Sequence, residues 1–134
     1  MTTFTSPFAD VAELYLPDGD IPEYAIVRFA GEAEIEAADK SHDPRVAGIM
    51  SYSPAVLINS DGDTTGLAVA LVGKVPCYIQ GPIAQGDCVV ASDVAGVGQK
   101  LDQKKWVPGC VVGKAMQSIT GTDVELIDIA VGRF

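Results

Sequence analysis

The chain has 134 residues, a formal net charge of −9, and a composition that is 48% hydrophobic but only 7% aromatic. That length accommodates one domain with an aliphatic core and no need of staples. The anionic balance disfavours DNA or RNA binding, which needs cations to displace phosphate counterions.

Residues 1–8 carry Thr, Ser and Pro together with Phe4 and Phe8. They are predicted to form an extended N-terminal arm whose two rings need a partner to cover them, ahead of a single β domain over residues 9–134. That domain opens on Ala9-Asp10-Val11-Ala12-Glu13-Leu14-Tyr15. Ten of the eighteen acids then fall between Asp10 and Asp43, with only Arg28 and Lys40 among them. This acidic first half faces either solvent or a basic partner surface.

Strand signals follow at short intervals. Residues 24–29 are one, and residues 33–37 alternate strictly, which turns one face to a core and Glu34 and Glu36 to water. Residues 45–52 and 55–59 come next, split by Ser53-Pro54. Residues 67–73 form an unbroken apolar run, expected to be covered on both faces. Residues 75–80 follow, with Pro76 marking an edge or a bulge. Residues 86–91, 107–116 and 123–131 complete the set, separated by Gly-Pro and Gly-Asp turn signals. No segment holds a 3.6-residue apolar period for three turns, so the expected fold is all-β.

The pattern also repeats. Ile21-Pro22-Glu23-Tyr24-Ala25-Ile26-Val27 is matched by Ile83-Ala84-Gln85-Gly86-Asp87-Cys88-Val89, and Val46-Ala47-Gly48 by Val111-Val112-Gly113 after three extra loop residues. Two copies are too few for a solenoid. They predict a β-barrel or β-sandwich with two pseudo-repeated halves.

Candidate chemistry is sparse. Asn59-Ser60-Asp61-Gly62-Asp63 places oxygens at alternating positions, as the first half of a calcium loop does. The sixth and twelfth positions, however, hold Thr64 and Ala70, where an EF-hand loop needs Gly and a bidentate Glu. A hairpin turn is the expected role of this loop, and calcium binding the alternative. His42, the only histidine, lies in Ser41-His42-Asp43-Pro44-Arg45 with no second imidazole for a metal and no nucleophile-elbow motif beside it. A solvated loop residue is expected. Gly113-Lys114 lacks the upstream glycine of a P-loop. Cys77, Cys88 and Cys110 form no CxxC pair and sit among apolar residues, which predicts reduced, mostly buried thiols and assembly in a cytoplasm. The sequence has no charged-then-apolar leader and no apolar run of about 18 residues, so neither secretion nor membrane insertion is expected. No catalytic residue, metal ligand or cofactor is assigned.

The ordered motifs resemble a module of bacteriophage tail-fibre and neck-appendage C-termini, one branch of which is the peptidase G2, or intramolecular chaperone, family. The likeness runs from Ala9 to about Val131. It is carried by Ala9-Asp10-x-Ala12-Glu13-x-Tyr15, Asp43-x-Arg45-Val46-Ala47-Gly48, Asn59-Ser60, Val69-Ala70-Leu71-Val72-Gly73-Lys74-Val75-Pro76, Gly81-Pro82-Ile83-x-x-Gly86-Asp87, Ser92-Asp93-Val94-x-Gly96 and Val112-Gly113-Lys114-Ala115. In the self-cleaving branch the resemblance implies a cut before Asp10 assisted by Glu13. Here Ala9 replaces the expected Ser, so both acids are expected to be structural, pairing with Arg45 or Arg133. A looser, architectural likeness is to phage capsid decoration proteins, which are short, acidic, β-rich and often arm-bearing. Both resemblances imply a trimer. The resulting expectation is a non-enzymatic virion structural protein assembled in the host cytoplasm, most of all a capsid decoration or cement protein. A tail-fibre or appendage component is the alternative, and a self-cleaving chaperone domain a distant third. Its partners are then copies of itself and phage capsid or tail proteins, without nucleic acid or membrane. Phe4, Phe8, Asp10, Glu13 and Tyr15 are the partner-binding candidates.

Overall fold

Ten strands and one 3-10 turn organise the computed structural model, which describes residues 9–51, 56–58 and 66–134. The strands are β1 (Ala9–Tyr15), β2 (Ile26–Phe29), β3 (Ile35–Ala37), β4 (Val46–Met50), β5 (Val56–Ile58), β6 (Leu67–Gln80), β7 (Cys88–Ala91), β8 (Gly98–Lys100), β9 (Val111–Ala115) and β10 (Val124–Val131), with the 3-10 turn at Gln103–Lys105. The fold is all-β, as the short apolar runs and turn residues predict. The predicted arm, Ser53-Pro54 and most of the 59–66 loop lie outside the described residues.

The long strand β6 departs from expectation. The runs at 67–73 and 75–80 read as two strands, yet they form one strand of 14 residues through Pro76. Among the described residues, one edge of β6 is unpaired at that position, which suits a proline. On that edge β1 covers Leu67 to Lys74 and β8 covers only Ile79 and Gln80. The unbroken apolar run is not covered on both faces either, since Val72 is 39% exposed.

Pairing around β6 closes a five-stranded barrel in the C-terminal half. β6 pairs with β10, β10 with β9, β9 with β7 and β7 with β8, all antiparallel, and β8 returns to β6 in parallel. Val75, Cys77, Ile79, Val89, Ile127 and Ile129 fill its core. The N-terminal half follows the same circuit. β1 pairs with β6, β6 with β4, β4 with β2 and β2 with β3, all antiparallel. This second ring closes more loosely, through the parallel bridge Pro17↔Ile35 and the hydrogen bond from Asp18 N–H to the Ile35 carbonyl.

The registers of the two circuits correspond at several pairs, while the shift between Val11 and Ala12 in β1–β6 is absent from β6–β10. Val27↔Gly48 in the first has its counterpart in Val89↔Gly113, and Arg28↔Val46 in Val90↔Val111, with a register shift at the same place in each. Phe29↔Ile35 matches Ala91↔Gly98, Glu13↔Val69 matches Val75↔Ile129, and the bridge Pro17↔Ile35 matches Ile79↔Gly98. β5, paired in parallel to β1, has no counterpart strand.

Gly48 and Gly113 explain one shared feature of this register. A Cβ at Gly48 would collide with the carbonyl oxygen of Ala70, and a Cβ at Gly113 with that of Ala130, so strand approach at both positions requires glycine. Gly48→Ala and Gly113→Ala are each expected to destabilise the fold by about 1–3 kcal/mol, the usual cost of forcing a methyl into packed structure. Urea unfolding of the two variants measures this.

Candidate functional site

A large concavity lies where β6 passes from one ring to the other. It holds about 750 Å³, within the range of small-ligand pockets. Val46 and Ala47 of β4 line one side and Val111 and Val112 of β9 the other, with Leu71 and Val131 contributed by β6 and β10. These are counterpart pairs in the two circuits. Trp106, Pro108 and Phe134 form the rim. Among the described lining residues Gln103 is the one side chain with an amide, and none is an acid, a base or a histidine. Its chemistry is therefore the burial of apolar surface. Sequence reading passed over this site, although the sole Trp, set between Lys104-Lys105 and Val107-Pro108, was the available signal.

Cys88 opens onto this cleft and is partly buried, whereas Cys77 and Cys110 are buried; all three are free thiols. Burial pushes the Cys77 thiol up to about 12. Because the thiolate is the reactive form, Cys88 is expected to react first with a thiol reagent and Cys77 last. Mass analysis of a timed alkylation gives the order.

His42 corrects the expectation of a solvated loop residue. It is 7% exposed, and its backbone has a positive φ of 59°. Its Nε2 accepts a hydrogen bond from the Asp102 backbone N–H at 3.0 Å. The proton of the neutral ring therefore sits on Nδ1, which donates to Ser41 Oγ at 2.7 Å. Gln99 Nε2 donates to the same Oγ at 2.9 Å. In this arrangement the ring is not placed to take the Ser41 proton, and the histidine instead ties loop 39–44 to loop 102–109.

Burial, and then the nearby Lys105, lower the His42 pKa below its ordinary value. The unfolded chain then binds a proton that the folded chain resists, so stability is complete above the ordinary histidine range and falls as pH drops through it. Thermal unfolding from pH 8 to pH 5 is expected to show this loss. His42→Asn, which tolerates positive φ, is expected to flatten it.

The acids of loop 39–44 are also accounted for. Asp43 is fully buried, and burial alone would raise its pKa. Hydrogen bonds from the Arg45 guanidinium and backbone N–H, and from Arg28, outweigh that and lower it. Arg28 also pairs with Glu36 at 2.7 Å and with Asp39 at 3.1 Å. Glu36 thus faces an arginine rather than only water. Arg45 pairs with Asp43 at 3.2 Å.

The partner-binding candidates separate. Asp10 is 1% exposed, so its carboxyl group belongs to the interior of the fold. Glu13 accepts a hydrogen bond from the Tyr15 hydroxyl at 3.1 Å. The Tyr15 ring packs edge-on against Phe29, with centroids 5.4 Å apart. The peptide bond before Asp10 lies inside a ladder in which Ala9 pairs with Lys74 and Asp10 with Gly73. Phe4 and Phe8 lie outside the described residues, as does the calcium alternative except for Gly66. No helix among the described residues is long and apolar enough to cross a membrane, and no group of three or more metal-ligating side chains occurs among them. Compared with protein-family models and with curated proteins, the chain matches none.

Proposed function

We propose that this chain is a bacteriophage virion structural protein without enzymatic activity, added to the particle surface as a capsid decoration or cement protein. The observation that carries this reading is the surface. Eleven large apolar side chains are exposed among the described residues, from Leu16 and Phe29 to Trp106, Leu126 and Phe134. They stand on a β scaffold with a cleft of about 750 Å³ lined with aliphatic and aromatic groups. Apolar surface of this kind marks a chain made to be covered by other chains. The motif series from Ala9 to Val131 supplies the phage setting and favours a tail-fibre or neck-appendage component as the second reading.

On this proposal the chain acts as a homo-oligomer, a trimer, with Phe4 and Phe8 anchoring the arm. Burying the two rings contributes about 3–6 kcal/mol per subunit before ordering costs. The test is to add purified protein to particles lacking it and to locate it by microscopy. Binding over the head lattice supports the decoration reading, binding at the tail or neck supports the second, and no binding overturns both. Deleting residues 1–8 is expected to weaken attachment while far-UV circular dichroism still reports a β fold. Undiminished binding of that truncation overturns the anchoring role of Phe4 and Phe8.

A further inference from the structure

The two rings of this chain already hold one another through two different surfaces. The N-terminal ring contributes the start of β2, Ala38 and loop 39–44. The C-terminal barrel receives them with the end of β7, loop 92–97 and β8. Ile26 N–H donates to the Gly96 carbonyl at 2.9 Å, Gly96 N–H to Ala38, and His42 N–H to Ala91. Ser41 N–H donates to the Asp93 carboxylate at 3.0 Å, and Gln99 reaches Ser41. The close packing is specific, since a Cβ at Gly96 would strike Ala25 and one at Gly98 would strike Ile26.

The agreement of registers identifies the counterpart of each surface. The contributing surface recurs on the C-terminal barrel as the start of β7, Leu101 and loop 102–109. The receiving surface recurs on the N-terminal ring as Phe29, loop 30–34 and β3. The contributing and receiving surfaces differ, so the contact is head-to-tail rather than self-complementary. One of each makes this contact inside the chain; of their counterparts, loop 102–109 meets loop 39–44 at Asp102 and Gly109 and stays exposed, as do Phe29 and residues 31–34.

Both counterparts carry the marks of an unfilled contact. On the C-terminal barrel Trp106 is 51% exposed, Val107 is exposed, and Lys104 and Lys105 flank them. On the N-terminal ring Phe29 is 47% exposed beside the exposed Glu32 and Glu34. The charges are opposite. Inside the chain Lys40 and Asp93 share one hollow, which Lys105 and Val107 also line. Glu32 stands in the loop that corresponds to that of Asp93.

We infer that a second copy of this chain docks its Phe29–Glu32 surface against the Lys104–Val107 surface, reproducing between chains the contact that the two rings make within one. Such head-to-tail contacts form closed rings when the rotation closes, and a ring of three chains would present six barrels in sequence. The inference deepens the self-assembly part of the proposed function and rests on it, but not on the virion setting.

Sedimentation at graded concentration and salt tests it. The intact chain is expected to gain mass with concentration, and less so at high salt, where exposed charges are screened. Lys104→Glu with Lys105→Glu, and separately Glu32→Lys, are each expected to move association about tenfold toward higher concentration. Combining the reversed surfaces is expected to restore it. A covalent test joins the two assigned surfaces at Val107 and Phe29, both exposed. Mixed Phe29→Cys and Val107→Cys chains are expected to form a disulfide-linked pair under mild oxidation, and Phe29→Cys alone is not. A monomer at every concentration overturns this inference together with the proposed homo-oligomer. An oligomer indifferent to the charge reversals, whose cysteine pair stays unlinked, overturns the assigned surfaces alone and leaves the homo-oligomer standing.

Discussion

Both rings hang on β6. Gly73 pairs with Asp10 on one edge and with Val131 on the other; Ala70 pairs with Ala12 and with Ile49; Ile79 pairs with Gly98 and with Glu125. Four strands thus share a single 14-residue partner, so the register of either circuit constrains the other. A slip by one residue would turn Val69, Val75, Cys77 and Ile79 out of their cores at once. The same strand leaves an opening. On one edge the handover from β4 to β10 passes Leu71 and Val72, and there the apolar cleft forms. The cleft is a consequence of joining two closed circuits through one strand.

A second constraint keeps the surface beside the cleft in shape. Asp43 is buried without loss of its charge because two arginines and a backbone N–H reach it. Removing a partner from a buried charge costs far more than an exposed ion pair contributes, so loop 39–44 has little freedom to rearrange. His42 extends the clamp to Asp102, and the side chain of Asp102 caps the 3-10 turn by accepting from Lys104 N–H at 3.0 Å. Loop 102–109, with Trp106 on it, is therefore held from both ends of a hydrogen-bonded chain. A docking surface that is already ordered loses less entropy on association.

Much of this fold was legible in the residues, and the gaps have physical causes. The strands at 26–29, 46–50, 111–115 and 124–131 follow from aliphatic runs bounded by turn residues. β1 was readable as a motif but not as a strand, because Asp10 and Glu13 interrupt its apolar pattern. Burial of the Asp10 carboxyl group depends on tertiary neighbours that local periodicity does not report. β8, Gly98-Gln99-Lys100, carries no β-branched residue and exists because β6 and β7 supply its partners. Pro76 suggested a break, yet among the described residues no strand pairs with it on one edge, and β6 runs on through it. His42 looked solvated because a lone histidine in a polar loop gives no sign of the distant Asp102 N–H that binds it. The cleft was illegible for a similar reason, since its walls come from segments far apart in the chain.

The two circuits use corresponding positions unequally, and this difference locates the unspent apolar surface. Ile26 and Ala38 of the N-terminal ring are fully buried because the C-terminal barrel covers them. Their counterparts, Cys88 and Leu101, have no third ring to cover them and are sheltered by their own loop, packing with Val90, Cys110 and Val111. That loop is longer than loop 39–44 and includes the 3-10 turn, so it closes over Leu101. It does so incompletely. Cys88 remains partly open, and Trp106 stands half-exposed on this longer loop. A loop whose only task was to seal a barrel end would gain nothing from an exposed indole, since aromatic side chains contribute most when desolvated. The placement of Trp106 makes physical sense if the seal is finished by another surface, and the surface around Phe29, flanked by the exposed Glu32 and Glu34, is the one proposed to finish it.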